Sequence, residues 1–225
     1  MPNPNDRLTA ADFPREVLTL FDRYVHGAID RRGFLSACAA HVGTVAAAAT
    51  MLSLLKPDFA LAQVIAPSDP RIVISRTTIA SPTGSGAIDA YIAAPAAVAP
   101  DEKRPVVLVI HENRGLNPHI EDIARRLAVD GFIAIAPDAL TTRGGYPGDE
   151  DRARELFREL DQAKIRQDFL AATAFAEACP AGNGRLGAVG FCYGGAMVNI
   201  LATLVPSLRA GVSFYGSSPP LDTVP

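Results

Sequence analysis

The hydrophobic positions from residue 71 onward follow two alternating patterns. Short β-branched or continuously apolar runs cover residues 71–79, 87–92, 105–110, 131–136, 185–190 and 210–215. Apolar side chains at helical spacing cover 117–130, 149–178 and 194–204, and the second of these is long enough for one or two helices. Two strands joined by a Gly- and Ser-rich turn, followed by strands and helices in alternation, predict an α/β fold. We expect a three-layer sandwich around a mostly parallel sheet.

The first sixty residues have a different pattern. Apolar side chains at helical spacing occupy 13–24, the pair Arg31-Arg32 follows, and no Asp, Glu, Lys or Arg occurs in 33–55. Paired arginines, an uncharged segment and a later Ala-Leu-Ala tripeptide are the parts of an export signal. The order Arg-Arg-Gly-Phe-Leu resembles twin-arginine signals.

This pattern divides the chain into a signal region, 1–62, and a domain, 63–225. We expect export by the twin-arginine export machinery and cleavage after Ala62. The domain would then lie in the periplasm or outside the cell, with no stable membrane association. The alternative is an uncleaved helix over 33–55 that anchors the protein in a membrane, since 23 uncharged residues could just span a bilayer.

Composition excludes several classes of protein. The 225 residues are 48% hydrophobic and 20% charged, which argues against disorder. A net charge of −3 and an aromatic content of 7% argue against a nucleic-acid-binding surface. Three cysteines do not form a disulfide framework. The histidines and Glu112 do not match the spacing of a zinc hydrolase motif, so we expect no metal and no cofactor.

Residues at the carboxyl ends of the predicted parallel strands are the candidates for chemistry, because such sheets bind ligands at that edge. Gly190-Phe191-Cys192-Tyr193-Gly194-Gly195 lies between a predicted strand and a predicted helix. This layout matches a nucleophile elbow with cysteine as the nucleophile. The turn requires glycine at 190 and 194, because a Cβ there would collide with neighbouring elements. The start of the helix would favour a thiolate and an oxyanion.

Two other interpretations of this turn are open. Cys192 could be a small buried residue in a Gly-rich strand-to-helix turn, or it could sense redox state, although no second cysteine lies close in sequence. A dinucleotide-binding loop does not fit the spacing of the glycines.

The sequence resembles the dienelactone hydrolase family of α/β-hydrolases, in an exported branch. The motifs that carry the resemblance are Val-Ile-His-Glu-Asn-Arg-Gly (109–115), Gly-Phe-Ile-Ala-Ile-Ala-Pro-Asp (131–138), Gly-Phe-Cys-Tyr-Gly-Gly (190–195) and Phe-Tyr-Gly (214–216). The resemblance implies an α/β-hydrolase-like sheet and the hydrolysis of a small ester or lactone by Cys192.

The resemblance also implies roles for individual residues. Glu112 would contact the thiol and tune its ionisation, and the backbone N–H groups of Asn113 and Tyr193 would form the oxyanion hole. An arginine would bind an anionic group of the substrate, with Arg114, Arg143, Arg152 and Arg154 as candidates. His111 borders the oxyanion loop, where it could contact substrate or act as general base.

The acid and the histidine of the family's triad have no counterpart in the sequence after Cys192. That stretch has no histidine, and its one carboxylate is Asp222. We therefore expect the chain to lack the last strands and helices of the fold. It is then either part of a longer hydrolase or a non-catalytic remnant or binding protein that keeps the fold.

Overall fold

The computed structural model describes residues 8–56, 62–97, 99 and 101–219. The chain divides into two compact units, Met1–Leu61 and Ala62–Pro225, which are described separately. The boundary lies one residue before the predicted one. Ala60 and Leu61 of the predicted cleavage site, and Asp222, lie outside the described residues.

The N-terminal unit consists of three helices, α1 (Arg15–Val25), α2 (Arg31–Val42) and α3 (Val45–Leu55), after a short 3₁₀ turn at Ala10–Asp12. The Asp30 side chain caps α2 by accepting a hydrogen bond from the Gly33 N–H at 2.7 Å. The helices enclose a small apolar core formed by Val17, Tyr24, Phe34, Cys38, Ala48 and Leu52.

The uncharged stretch over 33–55 forms two helices instead of one. Gly43 ends α2 in a left-handed conformation with φ of 90°, and the Thr44 side chain caps α3. Among the described residues, no single helix is long and apolar enough to cross a membrane. The pair α2 and α3 reaches that length and composition only together, with a bend of 112° between them.

The second unit is a six-stranded mixed sheet with helices on both faces. Its strands are β1 (Ile72–Ser81), β2 (Gly86–Pro95), β3 (Arg104–Ile110), β4 (Ile133–Asp138), β5 (Gly182–Phe191) and β6 (Leu208–Phe214). Its helices are α4 (Pro118–Val129), α5 (Glu150–Arg158), α6 (Gln162–Glu177) and α7 (Tyr193–Leu204), with a 3₁₀ turn at Thr141–Arg143. The strand order is β1-β2-β4-β3-β5-β6. Strands β4, β3, β5 and β6 are parallel, whereas β2 runs antiparallel to both β1 and β4.

The central strands are apolar on both sides because helices cover both faces of the sheet. Along β4, Ile133 and Ile135 join the core on the face covered by α5, α6 and α7, while Ala134 and Ala136 join the core under α4. This arrangement confirms the predicted α/β sandwich with a mostly parallel sheet. The predicted segment 149–178 forms two helices, α5 and α6.

A buried polar cluster ties the start of this unit to α4. Asp122 accepts hydrogen bonds from the backbone N–H groups of Val64 and Ile65, at 3.2 and 2.8 Å. Arg125, with 2% of its side chain exposed, donates to the Ile65 carbonyl at 2.7 Å and to the Tyr91 hydroxyl at 3.2 Å. We call this cluster the α4 clasp. It holds two residues of irregular chain by their backbone atoms, while the Ile65 side chain enters the core.

Candidate active site

Cys192 occupies the turn between β5 and α7. Its backbone has φ of 53° and ψ of −111°, a conformation that side-chain-bearing residues rarely adopt. The turn is held on both sides, since the Cys192 N–H donates to the Phe214 carbonyl at 3.0 Å and the Ala196 N–H donates to the Cys192 carbonyl at 3.1 Å. Strain that the surroundings hold in place is typical of functional turns, and here it sets Cys192 at the carboxyl edge of the sheet.

The predicted need for glycine in this turn is confirmed. A Cβ on Gly190 would lie closer than 3.0 Å to backbone atoms of Gly194 and Gly195. A Cβ on Gly194 would in turn meet the carbonyl oxygens of Ile110 and His111. The start of α7 therefore packs directly against β5 and against the chain that leaves β3.

The chain that leaves β3 brings Glu112 and Arg114 close enough to Cys192 to affect the pKa of its thiol. A second residue with a positive φ, Tyr215 (φ 43°), follows β6. Its hydroxyl donates to Glu112 Oε1 at 3.2 Å. The ends of three neighbouring strands, β3, β5 and β6, thus supply a carboxylate, a thiol and a phenol to one site.

Burial raises the pKa of the Cys192 thiol above its ordinary value. The Tyr193 backbone N–H and the Arg114 charge act in the opposite direction, and the Glu112 charge adds to the rise. The sequence led us to expect that the helix start would favour a thiolate. In the structure the net effect on the thiol pKa is the opposite. Half-burial of the sulfur beside a carboxylate raises the pKa by more than the N–H group and the cation lower it. The resting group is therefore a thiol that needs a proton acceptor.

Arg114 lies between two carboxylates. Its Nε is 2.8 Å from Glu150 Oε2, and its Nη1 is 3.9 Å from Glu112 Oε2. Glu150 begins α5 and also accepts from the Tyr146 hydroxyl at 2.8 Å. Burial raises the pKa of Glu150, against the lowering effects of Tyr146 and Arg114.

His111 does not fit the substrate contact or the general-base role proposed from sequence. Its side chain is fully buried and its ring contacts Phe157 of α5 and Phe169 of α6. Nδ1 donates to the Glu112 carbonyl at 2.5 Å, and Nε2 accepts from the Ala139 N–H at 3.0 Å. Desolvation by burial lowers the pKa of His111, so the ring is neutral, and both nitrogens are engaged by backbone. The ring fixes the loop that carries Glu112 and Asn113.

The other candidate arginines form ion pairs along α5 and its neighbours. Arg143 is 3.3 Å from Glu159, Arg152 is 3.0 Å from Glu155, and Arg154 is 2.8 Å from Asp151. Of the four candidates, Arg114 is the one whose charge acts on Cys192.

Tyr146 also lines a cavity of about 690 Å³, together with Thr78, Asp89, Leu116 and Asp138. Cys192 and Glu112 do not line it.

Over the part of the chain that the structure describes, no group of three His, Cys, Asp or Glu side chains could hold a metal ion.

Sequence reasoning gave no role to Tyr215, Tyr146 or Glu150. Tyr215 ends a predicted parallel strand and so belongs to the same edge as Cys192, but its position in the sequence does not reveal its contact with Glu112. Tyr146 lies in an irregular stretch after β4, where no periodicity predicts the course of the chain. Glu150 lies in the predicted helical segment, but helical spacing does not show that its first turn reaches the site.

Comparisons with known proteins find relatives of the chain. The chain is 49% identical to the putative hydrolase fragment YghX of Escherichia coli over 114 residues, which are 51% of this chain and 96% of that one. It is 36% identical to a putative carboxymethylenebutenolidase of Synechocystis sp., covering 65% of this chain and 61% of the relative. A YqhI-like family model matches residues 4–43.

Solved structures show the same fold. The putative dienelactone hydrolase of Klebsiella pneumoniae has a TM-score of 0.52 and 32% identity over 68% of this chain and 65% of its own. The dienelactone hydrolase-like promiscuous phosphotriesterase P91 has a TM-score of 0.52 and 26% identity over 67% of this chain. The chain thus spans less than two thirds of the length of these relatives, apart from YghX. The model of the dienelactone hydrolase family matches residues 88–224, more than half of the sequence, and the chain belongs to that family.

Proposed function

We propose that the protein hydrolyses small ester or lactone bonds with Cys192 as the nucleophile. The observation that carries this proposal is the strained elbow, which holds the Cys192 sulfur at the start of α7 beside Glu112. Membership of the dienelactone hydrolase family supports the substrate class.

The chemistry follows from the groups at the elbow. The thiol proton passes to the Glu112 carboxylate, and the sulfur attacks the carbonyl carbon of the ester. The backbone N–H groups of Tyr193 and Asn113 hold the oxyanion that forms. The alcohol leaves with the proton from Glu112, and water then cleaves the thioester to release the acid and restore the thiol. No metal or cofactor takes part in this scheme.

A test compares turnover of p-nitrophenyl acetate and of a dienelactone by the full chain and by Cys192→Ala. We expect the rate to fall by about 100-fold or more, because the covalent step is lost. Cys179→Ala is the matched control, since Cys179 is a free thiol between α6 and the start of β5, whereas the elbow follows the end of β5.

The time course separates the alternatives. Repeated turnover that depends on Cys192 supports a hydrolase. Full activity in Cys192→Ala contradicts the proposal. A single burst equal to the amount of protein would mean that the thioester forms but is not released, as expected for a remnant of the enzyme.

We also propose that residues 1–62 direct export by the twin-arginine machinery. The support is the pair Arg31 and Arg32, both exposed at the start of α2, and the uncharged stretch 33–55 that follows them. With both arginines changed to lysine, we expect the chain to stay in the cytoplasm at full length. The unaltered chain should reach the periplasm and begin at Gln63.

Cell fractionation and N-terminal sequencing measure both outcomes. The double variant Arg15→Lys/Arg23→Lys, at two exposed positions on α1, is the control that makes the same substitution outside the motif. Full-length unaltered chain found in the cytoplasm alone would contradict export.

A further inference from the structure

We propose that Glu150 is a positioning residue for the Cys192 site: it holds Arg114 in place between two carboxylates and so controls how much of the Arg114 charge acts on Glu112 and Cys192. The proposal deepens the proposed function, because it takes Cys192 as the nucleophile.

The distances around Arg114 are unequal. The contact with Glu150 is a hydrogen-bonded ion pair at 2.8 Å, whereas the contact with Glu112 is 3.9 Å, beyond hydrogen-bond length. The Asn113 side-chain oxygen accepts from Arg114 Nη1 at 3.3 Å. Because the tighter partner is Glu150, the position of the guanidinium is set from α5, and Glu112 stays available to the thiol.

Glu150 is itself fixed by two donors. Its Oε1 accepts from the Tyr146 hydroxyl at 2.8 Å and from the Asn117 side-chain amide at 3.3 Å. Asn117 is the N-cap of α4, with its own oxygen accepting from the Ile120 N–H at 3.1 Å. One oxygen of Glu150 is thus held by the protein frame, which directs the other toward Arg114.

The side chains involved are largely shielded from water. The exposed fractions are 11% for Arg114, 20% for Glu150 and 24% for Glu112. Ion pairs at such depth are weakly screened. Because the Arg114 charge acts on the thiol, a change of charge at Glu150 acts on the thiol through Arg114.

The charged and titratable groups that face this site can be named element by element. Glu112 and Arg114 follow β3, Tyr215 follows β6, Tyr146 and Asp149 precede α5, and Glu150 begins it. His119 of α4 packs against the Phe191 ring at the end of β5. Glu112, Arg114 and Glu150 together carry one net negative charge, and removing the charge of Glu150 makes their sum zero. The charges around Cys192 then repel a thiolate less strongly.

In Glu150→Gln we expect Cys192 to ionise at lower pH, by about 0.5 to 1 pH unit, and therefore to react about 3- to 10-fold faster below its pKa. The measurement is alkylation of the full chain by iodoacetamide from about pH 6 to 10. The rate is read by mass spectrometry on the peptide that contains Cys192, with the Cys179 peptide as internal reference. No ester substrate is needed, so loss of esterase activity and failure of this proposal give different results.

Two further variants complete the test. Glu155→Gln, an exposed position on α5 that pairs with Arg152, is the matched control. It should leave the curve of alkylation rate against pH unchanged. Tyr146→Phe removes the hydroxyl that holds Glu150 but keeps the ring, and it should change the curve by a smaller amount in a folded protein. Curves for Glu150→Gln and Tyr146→Phe that coincide with the unaltered chain would overturn the proposal, even if both variants lose thermal stability.

Discussion

Gly194→Ala is expected to lower the free energy of unfolding of the α/β unit by about 3 kcal/mol or more. The added methyl group would point at the carbonyl oxygens of Ile110 and His111, at less than 3.0 Å. These are backbone atoms of a central strand and its exit, so they cannot move aside as a flexible side chain could. Either α7 shifts away from the sheet or β3 is displaced, and both changes disturb the elbow.

Gly187→Ala is the matched control for this prediction. Gly187 lies three residues before Gly190 in β5, and a Cβ there would meet its nearest neighbour, the Ala210 carbonyl oxygen, at 3.6 Å, which is ordinary van der Waals contact. We expect that variant to stay within about 1 kcal/mol of the unaltered protein. Urea denaturation followed by circular dichroism compares the two. Equal midpoints for Gly194→Ala and the unaltered chain would show that α7 does not pack as described.

Arg125→Ala is expected to lower the free energy of unfolding by about 3 kcal/mol, since it removes one member of a buried ion pair. The guanidinium is almost fully buried and contacts the Ile65 carbonyl, the Tyr91 hydroxyl and the Asp122 carboxylate. The substitution leaves a cavity and takes the donors away from these buried oxygens. The cost is therefore larger than that of a lost surface contact.

Arg126→Ala tests whether burial is the reason. Arg126 is the next residue of α4 and also contacts Asp122, with its Nε 2.8 Å from Oδ2, but 36% of its side chain is exposed. We expect that variant to cost about 1 kcal/mol or less. Thermal unfolding of both variants measures the difference. Equal losses for Arg125→Ala and Arg126→Ala would mean that the α4 clasp does not depend on the buried arginine.

The sheet and the elbow could be predicted from sequence because their signals are local. Strands β3 and β4 are covered on both faces and therefore appear as continuous apolar runs, and Asn117 marks the start of α4 as a cap. The glycines around Cys192 are fixed by close approach of backbone to backbone. Each of these constraints, even where it arises from distant elements, leaves its mark on the residue types at the position itself.

The electrostatics of the site could not be predicted in the same way. The direction of the shift in the Cys192 pKa depends on how deeply the sulfur is buried, which the helix start alone does not reveal. His111 looks like a candidate base beside Glu112, but tertiary packing uses both ring nitrogens. Glu150 lies 36 residues after Arg114 in the sequence, in another element, so no spacing rule connects them.

The α4 clasp sets a limit on how far a protease could trim the α/β unit from its amino-terminal side. The first residues that the clasp holds are Val64 and Ile65, through their backbone atoms. A cut at any position before Val64 leaves every one of these hydrogen bonds in place. Removal of two more residues would strip Asp122 of two backbone donors and Arg125 of its carbonyl acceptor, and would expose the core beneath α4.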